Sequence, residues 1–109
     1  MSRAKGSLAE AKAIDFLKQN GFLIVEQNFY SRFGEIDIIA QKDDVLHFIE
    51  VKSALDYESA INNITPKKLQ RIIKTAQIYL KRYPTMNLYC FDAVIVTPHQ
   101  IEFVENITL

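Results

Sequence analysis

Apolar positions along the chain follow two periods, one helical and one typical of strands. A helical period over residues 8–20 predicts a first helix. Ser7 is its expected N-cap, Glu10 would complete a capping box, and Gly21 supplies the stop. The core-facing stripe of this helix consists of Leu8, Ala11, Ile14 and Leu17.

The remaining pattern indicates five strands and a second helix. The strands are predicted at residues 22–25, 34–40, 48–52, 88–96 and 100–105, the first as a buried strand and the last at a sheet edge. A second helix begins with Thr65 as N-cap and Pro66 in the first turn, and ends at Pro84. Residues 28–33 and 53–64 are predicted as loops. The order helix, three strands, helix, two strands indicates an α/β domain with a mixed sheet flanked by helices.

Three charged residues lie inside the second and third predicted strands, where such residues are depleted. They are Asp37 in the stretch Gly34-Glu35-Ile36-Asp37, and Glu50 and Lys52 in Phe48-Ile49-Glu50-Val51-Lys52. Because buried ionised groups need a partner or a metal, this trio predicts a cation site. The chemistry that best uses such a site is metal-assisted cleavage of a phosphodiester.

The turn between these two strands decides whether the trio meets. A hairpin centred between Lys42 and Asp43 would place Asp37 opposite Phe48. Asp37 and Glu50 would then be diagonal neighbours on the face that also carries Lys52, and a slip of one residue would separate them.

Composition narrows the class of protein. The chain has 109 residues with 49% hydrophobic and 24% charged side chains, which suits one soluble domain over residues 1–109. It has one cysteine, no long apolar span and no hydrophobic signal region, so we expect a cytoplasmic protein.

The net charge is zero, but the charge is unevenly distributed. The second helix carries no acidic residue, while the rest of the chain sets seven basic residues against all 13 acidic ones, a net charge of −6. This helix is either a nucleic-acid-binding surface or an ordinary solvated face. Its basic residues are Lys67, Lys68, Arg71, Lys74, Lys81 and Arg82.

Other polar residues have simpler interpretations. Cys90 is expected as a small core residue, and Glu35 as an exposed or outer residue of the site. Asp92 is expected to pair with Arg71 or Lys74. His47 and His99 fall in no metal-ligand spacing and are treated as ordinary.

The two motif strands, followed by Thr65-Pro66-Lys67-Lys68 and Phe91-Asp92, resemble the YraN-like family of small bacterial proteins. The resemblance covers residues 6–96 and extends to the restriction-endonuclease-like fold, the PD-(D/E)xK nucleases, and to archaeal Holliday-junction resolvases. This chain departs from the family in having Ala9, Ala54 and Cys90 where the family tends to have Gly, Arg and Arg.

The resemblance implies a set of roles. Asp37 and Glu50 would bind Mg²⁺ or Mn²⁺ with the backbone carbonyl of Val51, and Lys52 would orient the attacking water or steady the phosphate. Glu10 could supply a further carboxylate, or be only the capping-box residue. The trio could also be a structural ion-pair cluster.

Three functions remain open on the sequence alone. The first is a Mg²⁺-dependent endonuclease acting on branched or damaged nucleic acid, most plausibly DNA, with Lys67, Lys68, Arg71 and Lys74 contacting phosphates. The second is a non-catalytic nucleic-acid-binding module, and the third a protein-interaction domain in a DNA-processing or envelope assembly. A homodimer without membrane attachment is expected from the resemblance.

Overall fold

Three helices and five strands make up the chain in the computed structural model, which describes residues 2–85 and 88–108, with side chains described from residue 8 onward. The elements are α1 (Ser2–Gln19), β1 (Leu23–Ser31), β2 (Gly34–Lys42), β3 (Val45–Ser53), α2 (Tyr57–Asn62), α3 (Pro66–Arg82), β4 (Leu88–Val96) and β5 (Ile101–Val104).

The strands form one sheet in the order β1-β2-β3-β4-β5. The β3–β4 pair is parallel and the other three pairs are antiparallel, so the predicted mixed α/β sheet is confirmed. Helix α1 covers one face, where its small residues Ala9 and Ala13 pack with Leu17 against the sheet. Helix α3 covers the other face through Ile72, Ala76 and Tyr79.

Helix α1 begins earlier than its polar pattern predicted. Because the helix starts at Ser2, Ser7 lies inside it and the predicted capping box is wrong. The predicted stop is confirmed, since Gly21 has φ of 85° and the N–H of Phe22 donates to the carbonyl of Leu17 (3.0 Å). Glu10 therefore lies in the middle of the helix and does not cap it.

Strand β1 is longer and more exposed than expected. It continues to Ser31 through most of the segment predicted as a loop. It lies at the edge of the sheet, and Leu23 and Val25 are exposed (66% and 42%), so the continuous apolar run did not mark a buried strand.

The β2–β3 hairpin turns on Asp43 and Asp44, both with left-handed backbone (φ of 51° and 64°). This two-residue turn pairs Lys42 with Val45. Its centre therefore lies between Asp43 and Asp44, one residue further along the chain than predicted. Moving the centre by one residue changes each pairing by two, so the strand faces are preserved while the partners change.

Two further elements complete the frame. Residues 57–62, inside the segment predicted as a loop, form α2, whose N-cap Asp56 accepts from the N–H of Ser59 (2.8 Å). The start of α3 is confirmed: Thr65 Oγ1 accepts the N–H of Lys68 (3.2 Å), and Pro66 is its first residue.

Candidate metal-binding site

The site predicted from the motif strands lies where β2 and β3 separate. Their ladder ends at the pair Ile38–Ile49, so Asp37 and Glu50 are the first residues beyond it and stand opposite each other rather than diagonally. The alternation of faces also changes here, because Ile36 packs on the α3 side of the sheet and Ile38 on the α1 side.

At this point the Asp37 side chain makes a hydrogen bond that the backbone of the ladder would otherwise make. Its Oδ2 accepts the N–H of Val51 at 2.8 Å, so a side chain takes the place of the backbone carbonyl that a continued ladder would supply. Asp37 is only 7% exposed, which makes it one of the few buried charged residues of the described chain.

The electrostatics of Asp37 are unusual for an aspartate. Burial raises its pKa from 3.8 to about 8, reinforced by a hydrogen bond with the Glu50 carboxyl and by the negative charge of Glu50. The N–H of Val51 and the ammonium of Lys52 act in the opposite direction. Asp37 therefore keeps its proton at neutral pH beside the Glu50 carboxyl, and a divalent cation can hold the two carboxyl groups together by taking the place of that proton.

Lys52 lies near the pair without neutralising it. It is close enough to act on the charge of Asp37, yet no lysine or arginine makes an ion pair with Asp37 or Glu50 among the described side chains. The alternative of a structural ion-pair cluster is therefore not what the described residues form. Asp37, Glu50 and Lys52 are brought together, with Val51 between the last two.

Asn28 links two further carboxylates, those of Glu10 and Glu35, near the pair. In the β1–β2 register this residue lies opposite Asp37, between the pairs Gln27–Ile38 and Phe29–Ile36. With its amide nitrogen turned toward the carboxylates, Asn28 donates to Glu10 Oε1 and Glu35 Oε2, each at 3.1 Å. Glu10 thus reaches this end of the sheet from α1, and the half-buried Glu35 lies beside it.

Sequence reasoning did not identify Asn28. It lies in the segment read as a loop, and its left-handed backbone (φ of 54°) is the only local feature that sets it apart. Asparagine tolerates this conformation better than other non-glycine residues, but a single sequence does not reveal which asparagine adopts it.

The predicted nucleic-acid-binding residues form a basic surface at the start of α3. Lys67, Lys68, Arg71 and Lys74 are all exposed. The Nζ of Lys74 lies 5.2 Å from the centre of the Phe33 ring, and the Arg32 guanidinium lies 4.8 Å from the same ring. The Cβ of Arg71 faces Gly34. Arg32, Arg71 and Lys74 therefore lie around the turn that leads into β2.

Two predictions about other polar residues were wrong. Asp92 does not pair with Arg71 or Lys74; its Oδ2 contacts His47 and Cys90, and its Oδ1 accepts the N–H of Asn106. His47 is not an ordinary histidine, because its Nδ1 lies 2.5 Å from Asp92. Both errors share a cause: the parallel pairing of β3 with β4 that joins these residues has no local signal in the sequence.

No helix in the described part of the chain is long and apolar enough to cross a membrane.

Comparison with known proteins identifies relatives over the whole chain. The model of the uncharacterised protein family UPF0102 matches residues 9–96. A UPF0102 protein of Sulfurimonas denitrificans is 61% identical over 109 residues, covering all of both chains. UPF0102 proteins of Wolinella succinogenes and Aliarcobacter butzleri are 56% and 52% identical, again over the full length of both chains. The chain belongs to the UPF0102 family, which the YraN-like motifs had indicated.

Proposed function

We propose that this protein is a Mg²⁺- or Mn²⁺-dependent endonuclease of the cytoplasm that cleaves branched or damaged nucleic acid, with DNA as the expected substrate. The finer fold assignment, a restriction-endonuclease-like core, belongs to the same proposal. The observation that carries it is the contact between the buried Asp37 carboxyl and the half-buried Glu50 carboxyl, with Lys52 close by.

The donor set suits a hard cation. Asp37 and Glu50 offer carboxylate oxygens and the Val51 carbonyl adds a neutral oxygen, which matches the oxygen ligands and low carboxylate count preferred by Mg²⁺. Glu10, tied to Asn28 on the neighbouring strand, is the further carboxylate of this end of the sheet. When bound, the metal would supply Lewis-acid stabilisation of charge on the scissile phosphate and a more acidic water.

The residues of the chain divide the remaining tasks. The N–H of Val51 fixes one oxygen of Asp37, so the carboxylate is oriented before any ligand arrives. Lys52 is the cationic side chain that acts on Asp37 among the described residues, so it would orient the attacking water or steady the charge on the phosphate.

The basic surface gives the substrate a place to bind. Gly34 is next to the Cβ of Arg71 and is three residues before Asp37 on β2, so Arg71 on α3 lies about 10 Å along the strand from Asp37. That distance lets the same nucleic acid contact both, with the backbone held by the α3 surface and one phosphate at the carboxylates. A homodimer would double this footprint on a branched substrate.

Cleavage assays test the proposal directly. The wild-type protein should cut junction or flap DNA with Mg²⁺ or Mn²⁺ and not with chelator. Asp37→Asn and Lys52→Ala should each lose about 100-fold or more in rate, because each removes a group placed at the reacting phosphate. Asp44→Asn, an exposed turn residue with the same chemical change, is the matched control and should keep full activity. Failure of the wild-type protein to cut any structured DNA or RNA with either metal would overturn the proposal.

A non-catalytic binding module is the second candidate, favoured by the basic surface alone. It predicts salt-dependent binding in which Lys67→Ala or Arg71→Ala lowers the log–log slope by about 1 each. Under this candidate Asp37→Asn leaves affinity unchanged and no metal produces cleavage. Under the nuclease proposal, the same slopes appear together with cleavage that Asp37→Asn abolishes.

A further inference from the structure

A second group of potential metal ligands lies on β3 and β4, away from the carboxyl pair. His47 and Cys90 are register partners in the parallel pair, and Asp92 is two residues further along β4. Ligand atoms from these three residues all lie within 4.8 Å of one another. His47 is three residues before Glu50 on β3, so it is about 10 Å away and, by strand alternation, on the opposite face.

We propose that His47, Cys90 and Asp92 form a binding site for a borderline-soft divalent transition metal of the Zn²⁺ class. The ligand atoms would be His47 Nδ1, Cys90 Sγ and Asp92 Oδ2. A nitrogen, a sulfur and a carboxylate oxygen are the three donor types that Zn²⁺ accepts, whereas Mg²⁺ takes oxygen alone. The donor set therefore separates this site chemically from the Asp37–Glu50 pair.

The three atoms are already close to the spacing that a metal requires. Nδ1 to Oδ2 is 2.5 Å, Nδ1 to Sγ is 3.1 Å and Sγ to Oδ2 is 3.2 Å. Tetrahedral Zn²⁺ with ordinary bond lengths separates its nitrogen and oxygen ligands by about 3.3 Å and its sulfur and nitrogen ligands by about 3.6 Å. The triangle must open by roughly 0.4–0.8 Å, which small side-chain rotations provide.

The surroundings hold two of the ligands in place. The N–H of Asn106 donates to Asp92 Oδ1 at 2.8 Å, which orients the carboxylate and leaves Oδ2 facing His47 and Cys90. The His47 ring packs edge-on against Phe22 and Phe103, with centroids 5.0 and 6.1 Å away. Asp92 is fully buried, so its position is fixed by the sheet.

Protons hold the cluster together when no metal is bound. The Cys90 thiol donates to Asp92 Oδ2 at 3.2 Å, and burial raises the pKa of this thiol to about 12, with further contributions from Asp92 and Glu105. A metal at Sγ must therefore displace the thiol proton, and His47 must carry its proton on Nε2. One proton leaves Cys90 for each metal bound, so the affinity should rise with pH.

A fourth ligand would reach the ion from the side of His47. A cavity of about 350 Å³ borders His47 and is also lined by the charged residues Lys42, Asp43 and Glu105. Because Glu105 is close enough to affect the Cys90 thiol, its carboxylate or a water molecule would take the fourth position. The same cavity provides the entry path for the ion.

Cobalt substitution tests the proposal with a spectroscopic signature. Chelator-treated wild-type protein should bind one Co²⁺ with a sulfur-to-cobalt charge-transfer band and strong d–d absorption typical of tetrahedral sites. Zn²⁺ should bleach both bands, and at a hundredfold excess over its dissociation constant should raise the Tm by roughly 10 °C. Calorimetry in two buffers of different ionisation enthalpy should show about one proton released per metal.

Variants separate this site from others in the chain. Cys90→Ser should abolish the charge-transfer band and weaken Zn²⁺ binding about 100-fold or more, since even losing an outer partner costs 10–100-fold. His47→Gln should weaken binding similarly. His99→Gln, at an exposed histidine, and Asp37→Asn, at the carboxyl pair, should both retain the band. A wild-type protein without the band, or Zn²⁺ binding that survives both Cys90→Ser and His47→Gln, would overturn the proposal.

Discussion

Replacing Asp37 by asparagine should change how the stability of the protein depends on pH. The amide keeps an oxygen that accepts the N–H of Val51 and a nitrogen that can donate to Glu50, so the contacts of Asp37 are preserved. What the substitution removes is the proton equilibrium of the carboxyl. The comparison of the two proteins therefore isolates the titration of one group.

The sign follows from where the proton is held. In the folded protein the pKa of Asp37 is about 8, against 3.8 for the unperturbed group. Between these values the folded state binds more protons than the unfolded state, so the free energy of unfolding falls as the pH rises from about 4 to about 8. Below the unfolded pKa both states are protonated, and above the folded pKa both are ionised, so the dependence ends at both limits.

The magnitude comes from the size of the window. One proton changes the free energy of unfolding by about 1.4 kcal/mol per pH unit, so the three units between about pH 5 and about pH 8 carry about 4 kcal/mol at most. Because part of the Asp37 shift comes from the neighbouring charge of Glu50, the expected effect is roughly 2–4 kcal/mol. The stability of Asp37→Asn relative to wild type should increase by this amount between about pH 5 and about pH 8.

Urea unfolding followed by far-UV circular dichroism measures the effect, since the chain has no tryptophan to report by fluorescence. Asp44→Asn is the control, because Asp44 is exposed and asparagine also tolerates its left-handed backbone (φ of 64°). Mg²⁺ should stabilise the wild type at high pH and leave Asp37→Asn unchanged. A stability difference that stays flat across this pH range would refute the reasoning about the carboxyl pair.

Three smaller predictions concern other parts of the chain. Thr65→Ala should lower the free energy of unfolding by about 1 kcal/mol in urea titrations by removing the N-cap of α3, while Thr65→Ser should restore it. Asn28→Ala should be about 1 kcal/mol less stable than Asn28→Gly in the same assay, because only glycine accepts φ of 54° without strain; equal values would contradict the assigned backbone. Cys90, with its pKa raised to about 12, should react with iodoacetamide roughly 10³-fold more slowly than a free cysteine at pH 8, and at the ordinary rate once urea unfolds the chain.

The sequence predicted those elements whose signals are local. Strand β4 has the bounds expected from its apolar run, and α3 starts at the Thr65-Pro66 cap. Asp37, Glu50 and Lys52 were identified because ionisable residues inside strands conflict with local propensity, and the structure brings them together.

The errors occur where a distant partner decides the outcome. The β2–β3 turn was predicted one residue too early because Asp43 and Asp44 both adopt a left-handed backbone. Aspartate tolerates this conformation but does not require it, so the sequence does not mark the centre of the turn. Strand β1 continues past the predicted boundary, through most of the aromatic-rich segment predicted as a loop, because this segment pairs with β2. The His47–Cys90–Asp92 cluster depends on the parallel pairing of β3 with β4 across two intervening helices, and the positions of these residues along the chain do not encode that pairing.

A structural role alone does not account for aspartate at residue 37. The backbone bond to Val51 needs only an acceptor, and asparagine supplies one without an ionisable group. Aspartate instead brings a buried carboxyl against the half-buried carboxyl of Glu50, and the raised pKa of Asp37 expresses the free-energy cost of that arrangement at neutral pH. Local costs of this kind persist where they are part of a site. A divalent ion would remove this cost by replacing the proton on Asp37, so the destabilising feature of the metal-free fold is also the feature that would make the pair bind a cation.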